Sequence, residues 1–146
     1  MRVALVSKPI LKSALIFLIN LDKLISSCIF QNLMAPISYA ELKKLIDRKE
    51  NYILIDVREK DELKHGMIPT AQHIRLSEFL NSLSLSPAEL KKKHGFSKKD
   101  RLILYCRSGN RSEFAAKIAR EKGFNALNFA GSVLEWAKHD PNVRKY

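Results

Sequence analysis

A short apolar run that ends in a cysteine, followed by a glycine turn and a second apolar stretch, constrains this chain more than any other feature. The run Leu102–Tyr105 has the length and composition of a buried strand, and Cys106 follows it directly. Gly109 interrupts the pattern, and apolar side chains return at helical spacing after Ser112. The segment therefore predicts a strand, a tight loop and a helix, with Cys106 at the corner over the amino end of the helix.

A cysteine at such a corner is placed to act as a nucleophile. The unpaired amides and the positive end of the helix dipole favour a thiolate over a thiol, and Arg107 and Arg111 add two positive charges. Gly109 lets the backbone curl, so that successive N–H groups can point inward around an anion. A cysteine at a strand end can also be a plain core residue. The flanking arginines and glycine favour the functional interpretation.

Helical and strand patterns alternate along the rest of the chain, which is typical of an α/β fold with a parallel sheet. Ser38–Glu41 and Ser86–Glu89 have the sequence of a capping box and predict two helix starts. The first of these helices extends to about Lys49, and the helix after Cys106 ends at Gly123. Strands are predicted at Ile53–Val57, near His73–Ile74, at Leu102–Tyr105 and near Ala126–Phe129. The cysteine loop then lies at the carboxyl edge of the sheet, where open α/β sheets bind ligands.

Three further motifs lie along the chain in a fixed order. Asp56–Arg58 follows a predicted strand and reads Asp-Val-Arg, with an acidic residue at Glu62. Gly66–Ile74 is similar to the pattern Gly-His-Ile-Pro-Gly-Ala-x-Asn-Ile, and Asn128–Gly131 with Trp136 is similar to a closing Gly-Gly and Trp signature. Together with the cysteine loop, these motifs resemble the rhodanese-like (thiosulfate sulfurtransferase) family across about residues 36 to 139. The layout is most similar to the small single-domain members.

The departures from the family pattern lie outside the cysteine loop. Met67 stands where His is usual, Thr70 and Ala130 where Gly is usual, and Arg75 where Pro is usual. A threonine at a position that often needs a positive φ costs about 1 kcal/mol. These positions therefore affect local turn geometry rather than the chemistry of the loop.

The resemblance implies a single rhodanese-like domain of the α/β class, with a central parallel sheet flanked by helices. It implies a thiosulfate sulfurtransferase in which the Cys106 thiolate takes the outer sulfur of thiosulfate, sulfite leaves, and a second nucleophile removes the sulfur from the persulfide. Asp56 and Arg58 are expected to support the site structurally. The expected substrate-binding residues are those of the loop: Arg107, Ser108, Gly109, Asn110, Arg111 and Ser112. This chemistry needs neither a metal nor an organic cofactor, and the histidines show no ligand spacing.

The expected partners are thiosulfate and a small acceptor such as glutathione or cyanide, with a protein sulfur acceptor as a further option. The loop from Cys106 to Arg111 has six residues, one fewer than in the dual-specificity phosphatases that it also resembles. A shorter ring of amides favours a single sulfur over a phosphoryl group. Phosphatase or arsenate reductase activity is therefore the second enzymatic alternative. A sulfur carrier or a regulatory protein-binding module is the alternative from another class, and the presence of Cys106 argues against a purely structural role.

Length and charge are consistent with a small enzyme. The chain has 146 residues, of which 46% are hydrophobic, and a chain of this size forms one domain with one core. Its formal net charge is +11. Because basic and acidic residues are interleaved and no recognition motif is present, this charge does not predict nucleic-acid binding. It can still attract an anionic sulfur donor.

Residues 1–33 do not fit the domain and are predicted to be a targeting segment or a disposable extension, with the rhodanese-like domain at residues 34–146. The apolar stretch 13–21 is followed at once by Asp22 and Lys23, so no membrane span is expected. Mitochondrial and secretory signals both stay open as alternatives, and Met34 is a candidate start. The favoured location is the cytoplasm, since a reducing compartment suits a catalytic thiol. Cys28 and Cys106 are not expected to pair.

Overall fold

The computed structural model describes residues 16, 18–23 and 35–146. The chain divides into two units, 1–35 and Pro36–Tyr146. In the first unit, residues 16 and 18–23 are helical and exposed. Cys28 and the predicted boundary between residues 33 and 34 lie outside the described residues. Within the described ranges, no helix combines the length and the apolar character needed to cross a membrane.

Helices and strands alternate through the second unit, as the sequence predicts. The strands are β1 (Ile53–Asp56), β2 (Gln72–His73), β3 (Arg101–Tyr105) and β4 (Asn125–Asn128). The helices are α1 (Tyr39–Asp47), α2 (Leu76–Ser82), α3 (Pro87–His94), α4 (Asn110–Glu121) and α5 (Ser132–Trp136), and a 3₁₀ helix covers Lys60–His65. Each predicted strand and helix is present, while α2, α5 and the 3₁₀ helix add to the predicted set.

Both predicted capping boxes open helices. The Ser38 hydroxyl accepts a hydrogen bond from the Glu41 amide at 3.3 Å, and the Glu41 carboxylate accepts one from the Ser38 amide at 2.9 Å. Ser86 and Glu89 make the same two bonds at the start of α3. Because these bonds satisfy amides that have no partner inside the helix, local sequence is enough to define both helix starts.

The four strands form one parallel sheet in the order β2-β1-β3-β4, which confirms the predicted fold class. β1 pairs with β2 on one side and with β3 on the other, and β4 pairs with the far side of β3. The direction of chain progression therefore reverses between β1 and β3. The loops at the carboxyl ends of these two strands diverge at this switch point, which is where open parallel sheets bind ligands.

Both faces of the sheet are covered, and the side chains of β3 show how. Leu102 and Leu104 pack in a cluster with α2, α3 and α4, whereas Ile103 and Tyr105 pack in a second cluster with α1 and α5. A strand buried on both faces is apolar along its whole length, which explains the run seen in the sequence. Cys106 belongs to the first cluster and lies on the α4 side of the sheet.

Thr70 adopts the left-handed backbone conformation that the family pattern implies for a glycine position. Its φ is +71°, so the side chain is held in a region that disfavours residues with a Cβ. Its hydroxyl shares a hydrogen bond with the Tyr52 hydroxyl at 2.7 Å. The turn between the 3₁₀ helix and β2 is thus kept without glycine, with one side-chain bond as partial compensation.

Candidate active site

Cys106 is the centre of the site and is nearly covered, with 1% of its surface exposed. Its Sγ accepts a hydrogen bond from the Gly109 amide at 3.1 Å and lies 3.5 Å from the Ser112 hydroxyl. Burial acts to raise the pKa of this thiol. The Ser112 hydroxyl and the amides of Ser112, Gly109 and Ser108 outweigh burial, so the pKa lies below its ordinary value. The loop therefore favours an ionised sulfur.

Gly109 makes the tight loop possible. Its φ is +95°, and a Cβ at this position would lie 2.3 Å from the carbonyl oxygen of Ala130. Its own carbonyl accepts the first-turn hydrogen bond of α4 from the Glu113 amide at 2.9 Å. Both the backbone conformation and the close approach of Ala130 thus exclude a side chain here.

The start of α5 holds the loop from behind. The Ser132 hydroxyl accepts from the Cys106 amide at 3.2 Å and donates to the Phe129 carbonyl at 2.8 Å. The next two amides of α5 donate to the carbonyls of Cys106 and Arg107, both at 3.1 Å. The backbone of the loop is therefore fixed by a helix that lies more than 20 residues further along the chain.

Arg111 and Glu62 form a forked ion pair beside the loop. The two guanidinium nitrogens of Arg111 lie 2.6 and 2.8 Å from the two carboxylate oxygens. The Arg111 guanidinium holds the pKa of Glu62 at about 2, against the effect of burial. The sequence predicted that Arg111 adds a positive charge near the sulfur. In the structure its charge is balanced by a carboxylate from the 3₁₀ helix.

Tyr146 joins the remaining charged groups at the mouth of the loop. Its hydroxyl donates to Glu62 and accepts from Arg58 at 3.3 Å. Its ring stacks on His65 with centroids 4.0 Å apart, and the Arg107 guanidinium lies 5.3 Å from the ring centroid. The Arg107 Nε also donates to the Tyr146 backbone carbonyl at 2.5 Å. No local pattern in the sequence indicated that Tyr146 contacts these groups.

Asp56 and Arg58, predicted as structural support, form a fully buried ion pair at the end of β1. Both side chains are 0% exposed, and Nη2 of Arg58 lies 2.7 Å from the Asp56 carboxylate. Arg58 also donates to the carbonyls of Gly66 at 2.7 Å and Glu62 at 3.3 Å. The pair therefore ties the end of β1 to the 3₁₀ helix that carries Glu62.

The other predicted loop residues divide between backbone and surface. The amide of Ser108 contributes to the lowered pKa of Cys106, but the side chains of Ser108 and Asn110 are exposed. Ser132 and Asn128 contact the loop and were not predicted. Both belong to a stretch that the sequence marked only as a glycine-containing signature, and a residue that reaches the loop from a distant element has no local periodic signal.

The sequence profile of the Rhodanese-like domain family matches residues 38–139. A Schizosaccharomyces pombe protein, provisionally named a mitochondrial thiosulfate sulfurtransferase, is 43% identical over 89 residues, which cover 58% of this chain and 63% of that protein. A Saccharomyces cerevisiae thiosulfate:glutathione sulfurtransferase is 32% identical over 107 residues, covering 70% of this chain and 77% of that protein. The solved structure of a human single-domain sulfurtransferase is 31% identical, has a TM-score of 0.62, and covers 72% of this chain and 96% of that one.

Proposed function

This chain belongs to the rhodanese-like domain family, and from that membership we propose that it moves the outer sulfur of thiosulfate to a thiol through a persulfide on Cys106. The relatives named as sulfurtransferases support sulfur transfer as the general activity. The finer proposal rests on one observation: the Cys106 sulfur accepts from the Gly109 amide, with the Ser112 hydroxyl beside it. Such donors stabilise an anionic sulfur and give it a nucleophile's charge and orientation.

In the first half-reaction, the Cys106 thiolate attacks the outer sulfur of thiosulfate. A new sulfur–sulfur bond forms on Cys106, the sulfur–sulfur bond of thiosulfate breaks, and its electron pair leaves with sulfite. The persulfide that forms is again an anion, and the amides of the loop stabilise it as they stabilise the thiolate. Charge is conserved, because one thiolate and one thiosulfate become one persulfide anion and one sulfite.

Arg107 and Arg111 are proposed to hold the sulfonate end of the donor. A guanidinium has five N–H groups. Arg111 uses two of its nitrogens with Glu62, and Arg107 uses Nε with Tyr146. Each side chain therefore keeps N–H groups that can bind sulfonate oxygens, and the net charge of +11 draws the anionic donor toward the site.

The second half-reaction depends on the burial of Cys106. With 1% of its surface exposed, the cysteine itself is out of reach of a bulky acceptor. A sulfur–sulfur bond of about 2 Å carries the outer sulfur of the persulfide away from the floor of the loop. A thiolate then attacks that outer sulfur, leaves as a new persulfide, and restores the Cys106 thiolate. Glutathione is the proposed acceptor, since a yeast relative is named for it.

Mass spectrometry of the intact protein tests this proposal. Thiosulfate treatment should add one sulfur atom to the protein. Cys106→Ser should abolish both this adduct and turnover. Cys28→Ser makes the same substitution at the other cysteine and should retain both. No adduct, or an adduct that persists in Cys106→Ser, would overturn the mechanism. Hydrolysis of an aryl phosphate faster than sulfur transfer would favour the phosphatase alternative instead.

A further inference from the structure

Asn128 lies at the end of β4, behind the Cys106 loop, and only 5% of its surface is exposed. Its Nδ2 donates to the Gly109 carbonyl at 3.3 Å. Within residues 16, 18–23 and 35–146, no donor reaches its Oδ1. A buried amide oxygen without a partner costs free energy. Among the described residues, the bond to Gly109 is thus the one side-chain hydrogen bond that favours an asparagine here.

The Gly109 carbonyl has more donors than it can accept. A carbonyl oxygen offers two lone pairs. The Glu113 amide takes one of them at 2.9 Å, as the first-turn bond of α4. The Asn128 amide at 3.3 Å and the Ser112 hydroxyl at 3.1 Å both reach for the other. The Asn128 amide and the Ser112 hydroxyl therefore compete for the second lone pair.

The Ser112 hydroxyl faces the complementary choice. It has one proton and two acceptors, the Gly109 carbonyl at 3.1 Å and the Cys106 sulfur at 3.5 Å. We propose that Asn128 is a positioning residue which occupies the second lone pair of the Gly109 carbonyl and so reserves the Ser112 hydroxyl for the Cys106 sulfur. This inference rests on the proposed nucleophilic role of Cys106.

The consequence is a change in the stability of the thiolate. A hydrogen bond to an ionised sulfur is stronger than one to a neutral thiol, so the hydroxyl turns to Cys106 when the sulfur ionises and Asn128 keeps Gly109 paired. Without Asn128, the Gly109 carbonyl competes for the hydroxyl, so the hydrogen bond from the hydroxyl to the sulfur is weaker. The thiolate is then less stable and takes up a proton at higher pH.

Replacement of Asn128 leaves the charged groups around the sulfur in place. Arg111 approaches from α4 and Glu62 from the 3₁₀ helix, and they are paired with each other. Arg107 in the loop contacts Tyr146. Asn128 makes no hydrogen bond to any of these groups among the described residues, so its replacement isolates the effect on the hydroxyl.

The test is the pKa of Cys106 in the full chain, read from the pH dependence of alkylation by iodoacetamide. Cys28→Ser is included in every variant, so that Cys106 is the only thiol. Ser112→Ala should raise the pKa by about one unit, the loss expected for one hydrogen bond to a charged group. Asn128→Leu keeps the branched arrangement of heavy atoms but has no donor, and it should raise the pKa by a smaller amount. In a protein that already carries Ser112→Ala, Asn128→Leu should not raise the pKa of Cys106 further. In a protein that carries Ser112→Thr, which keeps a hydroxyl, Asn128→Leu should still raise this pKa.

Two results would overturn the proposal. One is a shift from Asn128→Leu that stays the same size with Ser112→Ala present, because Asn128 would then act on the shape of the loop rather than through the hydroxyl. The other is an unchanged pKa in a folded Asn128→Leu protein. Asn128→Ala repeats the comparison if leucine disturbs folding, which circular dichroism detects. The measurement uses no sulfur donor, so failure of the sulfurtransferase proposal and failure of this one are separate outcomes.

Discussion

The floor of the Cys106 loop and its rim are built from different interactions. The floor contains buried, uncharged groups that hydrogen-bond to the loop or the sulfur, and comprises Gly109, Ser112, Asn128 and Ser132. The rim contains charged or partly exposed groups, and comprises Arg107, Arg111, Glu62 and Tyr146.

The contrast separates two tasks. Neutral donors in a buried site act at short range and are not screened by salt, so we expect the floor to affect the protonation of the sulfur at any salt concentration. Exposed charges act at longer range and are screened by salt, so we expect the rim to attract and orient an anion. The effects of changes in the floor are therefore expected to be independent of salt, and the effects of changes in the rim to be sensitive to salt.

Gly109→Ala, which places a methyl group in the floor, is expected to have the largest effect on stability and on thiosulfate turnover. The position has φ of +95°, and the new Cβ would meet the Ala130 carbonyl oxygen at 2.3 Å. We expect loss of sulfur transfer and a fall in unfolding free energy of more than about 2 kcal/mol, because steric overlap adds to the strain of the left-handed conformation. Urea unfolding and thiosulfate turnover measure the two effects.

Gly123→Ala is the matched control. Its φ is +84°, but a Cβ there would meet nothing within 4 Å. It should lose only about 1 kcal/mol from backbone strain and keep its turnover. An equal loss of unfolding free energy in Gly109→Ala and Gly123→Ala would show that the close approach of Ala130 to Gly109 does not restrict the loop.

At the rim, Arg111→Ala should raise the KM for thiosulfate about tenfold, which corresponds to about 1.4 kcal/mol of lost binding, and should raise the pKa of Cys106. Arg111→Lys should recover only part of this effect, because a single ammonium lacks the fork of a guanidinium. Steady-state kinetics at two salt concentrations provide the test. A KM that matches wild type at low salt would show that Arg111 serves only its ion pair with Glu62.

Glu62→Gln is expected to have a smaller effect, which is a loss of stability that depends on pH. The pKa of Glu62 falls from an ordinary 4.5 to about 2 because of the Arg111 guanidinium. A lowered carboxyl pKa contributes stability above pH 4.5, and that contribution is lost as the pH falls towards 2. The variant should therefore be less stable than wild type at pH 6 by at most about 1 kcal/mol, and the difference should vanish near pH 2.

Urea unfolding of both proteins between pH 2 and pH 6 measures this difference. The same substitution made in Arg111→Ala should have a much smaller effect, since the partner is gone. A difference between wild type and Glu62→Gln that is constant with pH would show that the carboxylate acts through packing rather than charge.

The smallest effect is expected from removing residues 1–33. A chain that begins at Met34 keeps the capping box at Ser38 and all residues of the floor and rim. Its melting temperature and thiosulfate turnover should equal those of the full chain, and residues 1–33 fused to a fluorescent protein should show whether they direct it to mitochondria. A loss of several kcal/mol would show that this segment belongs to the catalytic domain.

Local sequence predicted most of the strands and helices of this protein and the position of its proposed nucleophile. The two capping boxes, the strand before Cys106 and the glycine turn each depend on residues within a few positions of one another, so their patterns are visible in the chain itself. The likeness to the rhodanese-like family added the order of the motifs. Cys106 at a strand-to-helix corner followed from these short-range features.

Only the tertiary structure decided which side chains meet around that cysteine. Arg111 and Glu62 are 49 positions apart, Ser132 and Cys106 are 26 apart, and Asn128 and Gly109 are 19 apart. These contacts depend on the register of parallel strands and on which helix covers which face of the sheet. Neither leaves a periodic pattern in the sequence, because a hydrogen bond between distant elements requires only one suitable group at each end.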